Sequence, residues 1–109
     1  MADTKHEGWT NYETWAVKLH MDNEQSSQEY WAGQAQAHAE SAEVSEFGTT
    51  RERMAVYNLA ATLKDEHEEA LPILLGFAGD LLTAAFGEVN WYEIAESLLA
   101  AYTETAAAV

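Results

Sequence analysis

The sequence predicts an all-α protein, a compact single-domain bundle of about five helices, on three observations. Four Ser, Thr or Asn residues are each followed three positions later by Glu. Several stretches repeat apolar residues at the helical period near 3.6. No stretch alternates apolar and polar residues, or gathers β-branched ones, as a strand would. A chain of 109 residues suits one domain with its own core.

The four spaced pairs place helix starts. Thr10 with Glu13 opens a helix over 11–22, Ser26 with Glu29 one over 27–44, and Thr49 with Glu52 one over 50–70. Asn90 with Glu93 opens the last, over 91–104, with Val89 and Ile94 as a hydrophobic staple. In such a capping box the first side chain accepts from an orphan N–H while the Glu reaches back to the cap's own N–H. Pro72, suited by its fixed φ to a first helical position, marks a fifth start over 72–86, with Gly87 as its terminator. The domain is then 9–105, with a flexible lead-in at 1–8 and a frayed end at 106–109.

Projection at about 100° per residue assigns the buried faces. In the third helix Val56, Leu59, Ala60, Leu63, His67 and Ala70 share one arc, opposite Asp65, Glu66, Glu68 and Glu69. The second groups Trp31, Ala35, His38 and Ala42 against Glu29, Glu40 and Glu43. The last groups Trp91, Ile94, Ala95, Leu98 and Tyr102, leaving Glu93 and Glu96 outside. The first is apolar on two sides, Tyr12-Ala16-Leu19 and Val17-Met21, one of which is free for a partner or a homodimer. The Pro72 helix is apolar nearly all round, which predicts a central, buried position. Its Gly76 and Gly79 each cost about 1 kcal/mol of helix propensity relative to Ala, so close packing by neighbours is the expected compensation.

Composition bounds the function. Nineteen Asp and Glu against five Lys and Arg give a net charge of -14. That balance excludes direct binding of nucleic acid or an anionic membrane surface, since both require phosphate neutralisation, and it favours a basic partner. With 48% hydrophobic residues the chain is too apolar to stay disordered. It has no Cys and no signal-peptide pattern, and Leu71 to Phe86 is too short to span a bilayer, which together predict a cytoplasmic protein.

No catalytic or cofactor constellation emerges. His67 has Lys64, not Glu, three residues before it and lies off the carboxylate arc, so the Asp65–Glu69 cluster lacks metal-ligand spacing. Thr10, Ser26 and Thr49 are used as caps, and no glycine-rich phosphate loop occurs. His38 and His67 read as hydrogen-bonded, core-facing histidines. No catalytic residue, metal or cofactor is therefore expected, and the protein is not read as an enzyme.

Acid placement is more informative. Between Leu19 and Thr50 stand Asp22, Glu24, Glu29, Glu40, Glu43 and Glu46 with no Lys or Arg. From Asp65 to the C-terminus stand Asp65, Glu66, Glu68, Glu69, Asp80, Glu88, Glu93, Glu96 and Glu104, again with no cation. The four acids at 65–69 give one charge per roughly 2 Å of helix axis, near the about 1.7 Å per charge of duplex DNA. Glu40, Glu43 and Glu46 extend the pattern at i, i+3, i+6. These seven are the candidate partner-binding residues, and a solvated, solubilising surface is the bland alternative.

Gly8-Trp9-Thr10-Asn11-Tyr12-Glu13-Thr14-Trp15, running on to Asp22-Asn23-Glu24, and Val89-Asn90-Trp91-Tyr92-Glu93-Ile94-Ala95-Glu96 resemble small, functionally uncharacterised proteins carried by bacteriophages and mobile elements. The resemblance implies context only: small acidic phage-type proteins include DNA mimics that inhibit restriction enzymes, CRISPR effectors or repair glycosylases. It implies no binding residue. Trp9, Tyr12, Trp15, Trp31 and Trp91 read as core joining the first helix to the last, or as an exposed aromatic patch for a partner. The expected function is an acidic inhibitor that occupies the basic nucleic-acid groove of a host nucleic-acid-binding protein. The alternative is a helical interaction or assembly protein whose acidity only solubilises, and which would bind through the tryptophans or Met21.

Overall fold

The computed structural model describes residues 5–107. These form five helices: α1 Tyr12–Asn23, α2 Gln25–Ser41, α3 Arg51–Ala70, α4 Gly76–Gly87 and α5 Trp91–Ala107. No described residue lies in a named strand, and the single antiparallel bridge pairs His6 with Trp9. The all-α bundle read from the sequence is what the chain forms.

α3 is the axis of the bundle. Its Ala55, Val56, Leu59, Ala60 and Leu63 are buried at the period that the sequence shows. α5 packs on it through Trp91, Ile94 and Ala95, and α2 through Trp31 and Ala35. α1 joins α2 and α5 from outside and contributes Met21 to the core. Ala70, expected on the buried arc of α3, is exposed because it is the last residue of that helix and the chain turns away at Leu71.

Three of the four expected caps shift. Asn11, not Thr10, caps α1, its side chain accepting from Thr14 N–H. Thr50, not Thr49, caps α3, accepting from Arg53 N–H. Ser26 lies inside α2, which starts at Gln25 directly after the Glu24 that ends α1. Asn11 and Thr50, each next to the expected cap, and Glu24, two residues before Ser26 and without a side-chain cap bond, hold the β-region φ and ψ that an N-cap requires. Only Asn90 stands where expected, accepting from Glu93 N–H at 3.1 Å, with Val89 and Ile94 both in the core.

The Pro72 helix differs most. Leu71 takes the extended conformation that a following proline favours, α3 ends at Ala70, and Pro72 to Leu75 form an extended strap. α4 begins only at Gly76, whose φ of 65° is left-handed and suits glycine. Gly87 remains inside α4 without positive φ, and Glu88 caps the end. Far from being central, α4 has no buried residue. Gly79, Leu82 and Phe86 are half-buried against the body, and Phe86 packs on Trp91 at 5.4 Å between ring centroids. A Cβ at Gly79 would run into the Leu74 carbonyl, so the strap's close approach is what requires glycine there.

His6 and Trp9 exchange two backbone hydrogen bonds of 2.8 Å, closing a turn within the lead-in expected at 1–8, and His6 packs on Tyr12 and Trp15. α5 continues to Ala107, past the fraying expected from 106. Met1 to Thr4, Ala108 and Val109 lie outside the described residues.

Candidate partner-binding surface

The two motif segments meet at one joint. Thr14 is fully buried, and its hydroxyl donates to Asn11 Oδ1 at 2.7 Å while accepting the Asn90 N–H at 2.9 Å. Asn11 Nδ2 donates to the Glu88 carbonyl at 2.7 Å, and Glu93 Oε1 accepts the Thr10 N–H at 2.9 Å. The reciprocal half of the Asn90 capping box is thus taken over by the other helix start: Glu93 reaches α1's lead-in, and Thr14 satisfies Asn90. The Thr10 and Asn90 N–H groups find partners across the joint, while the Thr14 and Glu93 N–H groups are capped locally, so α1 and α5 start as a unit. These residues hold the two helix starts together.

The aromatic residues divide. Trp31 and Trp91 are core, with the His67 ring between them at 5.4 and 5.2 Å from their ring centroids. His67 Nδ1 lies 2.7 Å from the Leu63 carbonyl, which fits a proton on that nitrogen. His38 is half-buried, 3.2 Å from Thr62 Oγ1, and desolvation lowers its pKa below the ordinary value. Both histidines are core-facing, as the projection indicates. Trp9 packs against the core from its edge, whereas Trp15 sits with His6 and the exposed Tyr12 outside it. Of α1's two apolar sides, Val17 and Met21 face inward and Tyr12 and Leu19 outward. Met21 is therefore a core residue.

The seven candidate acids do not form one surface. α2 ends at Ser41, so Glu43 and Glu46 lie in the connection to α3 and the helical i, i+3, i+6 row is absent. Arg51 donates to the carbonyls of Ala39 and Glu40, which ties the end of α2 to the start of α3. Tyr30 Oη donates to Glu66 Oε1 at 2.6 Å, which ties the start of α2 to the end of α3. Glu40, Glu43 and Glu46 thus belong to one pole and Asp65, Glu66, Glu68 and Glu69 to the other, separated by roughly 22 Å along α3 at about 1.5 Å per residue.

The poles differ in character. Arg51 stands near Glu40 together with Glu52 and Glu96, and Arg53 lies 3.9 Å from Glu96, so the field there is partly compensated. At the far pole the antiparallel packing adds Glu24 and Glu29 to the four acids of α3, two residues that the linear reading left off the site. A shallow hollow of about 350 Å³ lined by Glu24, Met21 and His67 joins α1 and α2 to α3 at this end. Neither salt bridge among the described residues involves any of these six acids. The Glu66 hydrogen bond, then desolvation and Glu66's charge, raise the Tyr30 phenol above its ordinary pKa. No group of three or more described His, Asp or Glu residues could hold a metal ion.

Sequence reasoning also missed an apolar surface beside this pole. Directly after Glu68 and Glu69 the chain exposes Ile73 by 94%, Leu75 by 87% and Phe77 by 80%, followed by Leu81. Between the strap, the end of α3 and the inner face of α4 runs a groove of about 500 Å³, lined among others by Glu68, Leu71, Leu82 and Trp91. Unbroken apolarity in the sequence could have found this surface only if the helix had been placed outside the core.

No family model matches the chain, and comparison with curated proteins and with solved structures gives no match. No described helix is long and apolar enough to cross a membrane.

Proposed function

We propose that the protein acts by binding, presenting the acidic pole of Glu24, Glu29, Asp65, Glu66, Glu68 and Glu69 to the basic nucleic-acid groove of a host nucleic-acid-processing complex, such as a CRISPR effector or restriction enzyme, and inhibiting it as a DNA mimic in the cytoplasm. The observation that carries this reading is the clustering of those six acids at one end of the bundle outside the two salt bridges. Like charges held together on rigid helices raise the energy of the compact state and concentrate a negative field, which speeds encounter with a basic surface. The test is capture of host proteins on the immobilised chain at about 0.05 and about 0.5 M salt, compared with a variant carrying Gln or Asn at the six positions. A partner lost in both the variant and high salt supports the reading; one retained in both contradicts it.

A second reading is favoured by the exposure of Ile73, Leu75 and Phe77. Here the chain is an interaction protein whose contact is apolar and whose charge only solubilises. That partner would resist high salt and be lost when Phe77 is replaced by Ser.

A further inference from the structure

The outer side of α4 is an apolar stripe without a cover. Phe77 and Leu81 stand four residues apart and are exposed, as are Ile73 and Leu75 in the strap before them, while Leu82 and Phe86 line the groove toward the body and Gly79 abuts Leu74. A helix apolar on both sides belongs in a core; the inner side of this one lines the groove and touches the body through Phe86 on Trp91, and its outer side is exposed. A contiguous apolar patch on an otherwise highly charged surface marks an interaction site.

The charge around the stripe says what covers it. Within the segment from Leu71 to Gly87 the one ionisable side chain is Asp80. Glu68 and Glu69 border its start and Glu88 its end. Lys64 is the one cation lining the adjoining groove; carboxylates outnumber it, and an apolar strip with a net negative rim fits an apolar strip rimmed by ammonium or guanidinium groups. A second copy would bring the same carboxylates against these and add a second body of charge -14. The length also matters: α4's 12 residues extend about 18 Å, the reach of some three turns of a facing helix.

We propose that the outer face of α4 and the strap before it dock a cationic amphipathic helix of the protein's partner, with apolar residues spaced i, i+3, i+4, i+7 on Ile73, Leu75, Phe77 and Leu81, and with Lys or Arg flanks on Glu68, Glu69, Asp80 and Glu88. The proposal rests on the reading that the partner is basic, and it adds a site, a secondary structure and an apolar anchor to that partner.

The test uses the full chain and an amphipathic Leu/Lys peptide of about 14 residues, with a scrambled peptide of the same composition, near physiological salt, where exposed charges are screened beyond about 8 Å. Titration is followed by backbone amide shifts. The expected result is saturable binding with shifts concentrated in residues 73–88, weaker by about tenfold or more for the scramble and for the Phe77→Ser/Leu81→Ser variant. These two positions are exposed, so the variant keeps the core, and its unchanged spectrum elsewhere verifies that. Equal binding of peptide, scramble and variant overturns the docking site while leaving the basic-partner reading intact; absence of peptide binding together with salt-insensitive capture of the natural partner overturns both. A free chain that sediments as a dimer and becomes monomeric as Phe77→Ser/Leu81→Ser overturns the proposal in favour of a second copy.

Discussion

The buried hydroxyl of Thr14 accepts the backbone N–H of Asn90 at 2.9 Å, joining residues 76 positions apart and coupling the first turn of α1 to the N-cap of α5. A Thr14→Val replacement keeps the shape and removes both hydrogen bonds of the hydroxyl, leaving a half-buried N–H and the Asn11 side chain short of partners. Stability should fall by about 2 kcal/mol. Urea unfolding measures it, and Thr14→Ser, which restores the oxygen, should recover most of the loss.

Gly79 separates packing from propensity. On an isolated helix Gly79→Ala would gain about 1 kcal/mol. Here the new methyl meets the Leu74 carbonyl, so the strap and α4 must part. Hydrogen exchange should rise across 72–87 while α3 and α5 keep their protection. Uniform protection, with a higher melting temperature, would show that the close approach is absent in solution.

The net charge of -14 predicts a stability that rises with salt. Screening weakens repulsion among acids more than it weakens the Lys18–Asp22 and Arg53–Glu96 ion pairs. Between about 0.05 and about 0.5 M NaCl a gain on the order of 1 kcal/mol, or roughly 4–8 °C in melting temperature, is expected. Scanning calorimetry reads it directly.

His38 sets a pH dependence of defined sign. Its folded pKa lies below the unfolded value because desolvation disfavours the charged ring. The unfolded chain therefore binds the proton first on acidification, and His38's contribution is present above the unfolded pKa near 6.5 and lost as pH falls through the folded pKa. The difference between wild type and His38→Gln isolates the histidine: the wild type should lose stability relative to the variant on going from about pH 7 to about pH 5.

Much of the bundle is legible in the sequence because period and burial coincide: the stripes of α3, α5 and α2 contain Leu59, Leu63, Ile94, Trp31 and Ala35, all buried. Cap positions are less so, because Thr49 and Thr50, or Thr10 and Asn11, are chemically equivalent candidates one residue apart, and backbone geometry chooses between them. The placement of α4 is not legible at all. An apolar run states that burial is favourable without stating what buries it, and Pro72 marks an extended strap here as well as it could mark a first turn. The acid site is half legible for a related reason: Asp65, Glu66, Glu68 and Glu69 are neighbours in sequence, whereas Glu24 and Glu29 join them only through the antiparallel return that the Tyr30 to Glu66 hydrogen bond fixes.

Competition with nucleic acid tests the central claim most directly. A captured partner is loaded with its labelled nucleic acid and titrated with the protein, followed by fluorescence anisotropy. The account predicts full displacement of the label by the wild-type chain and displacement weakened by at least about tenfold for the variant neutralised at Glu24, Glu29, Asp65, Glu66, Glu68 and Glu69. A ternary complex that retains its nucleic acid, with the neutralised variant binding as tightly as wild type, would contradict it.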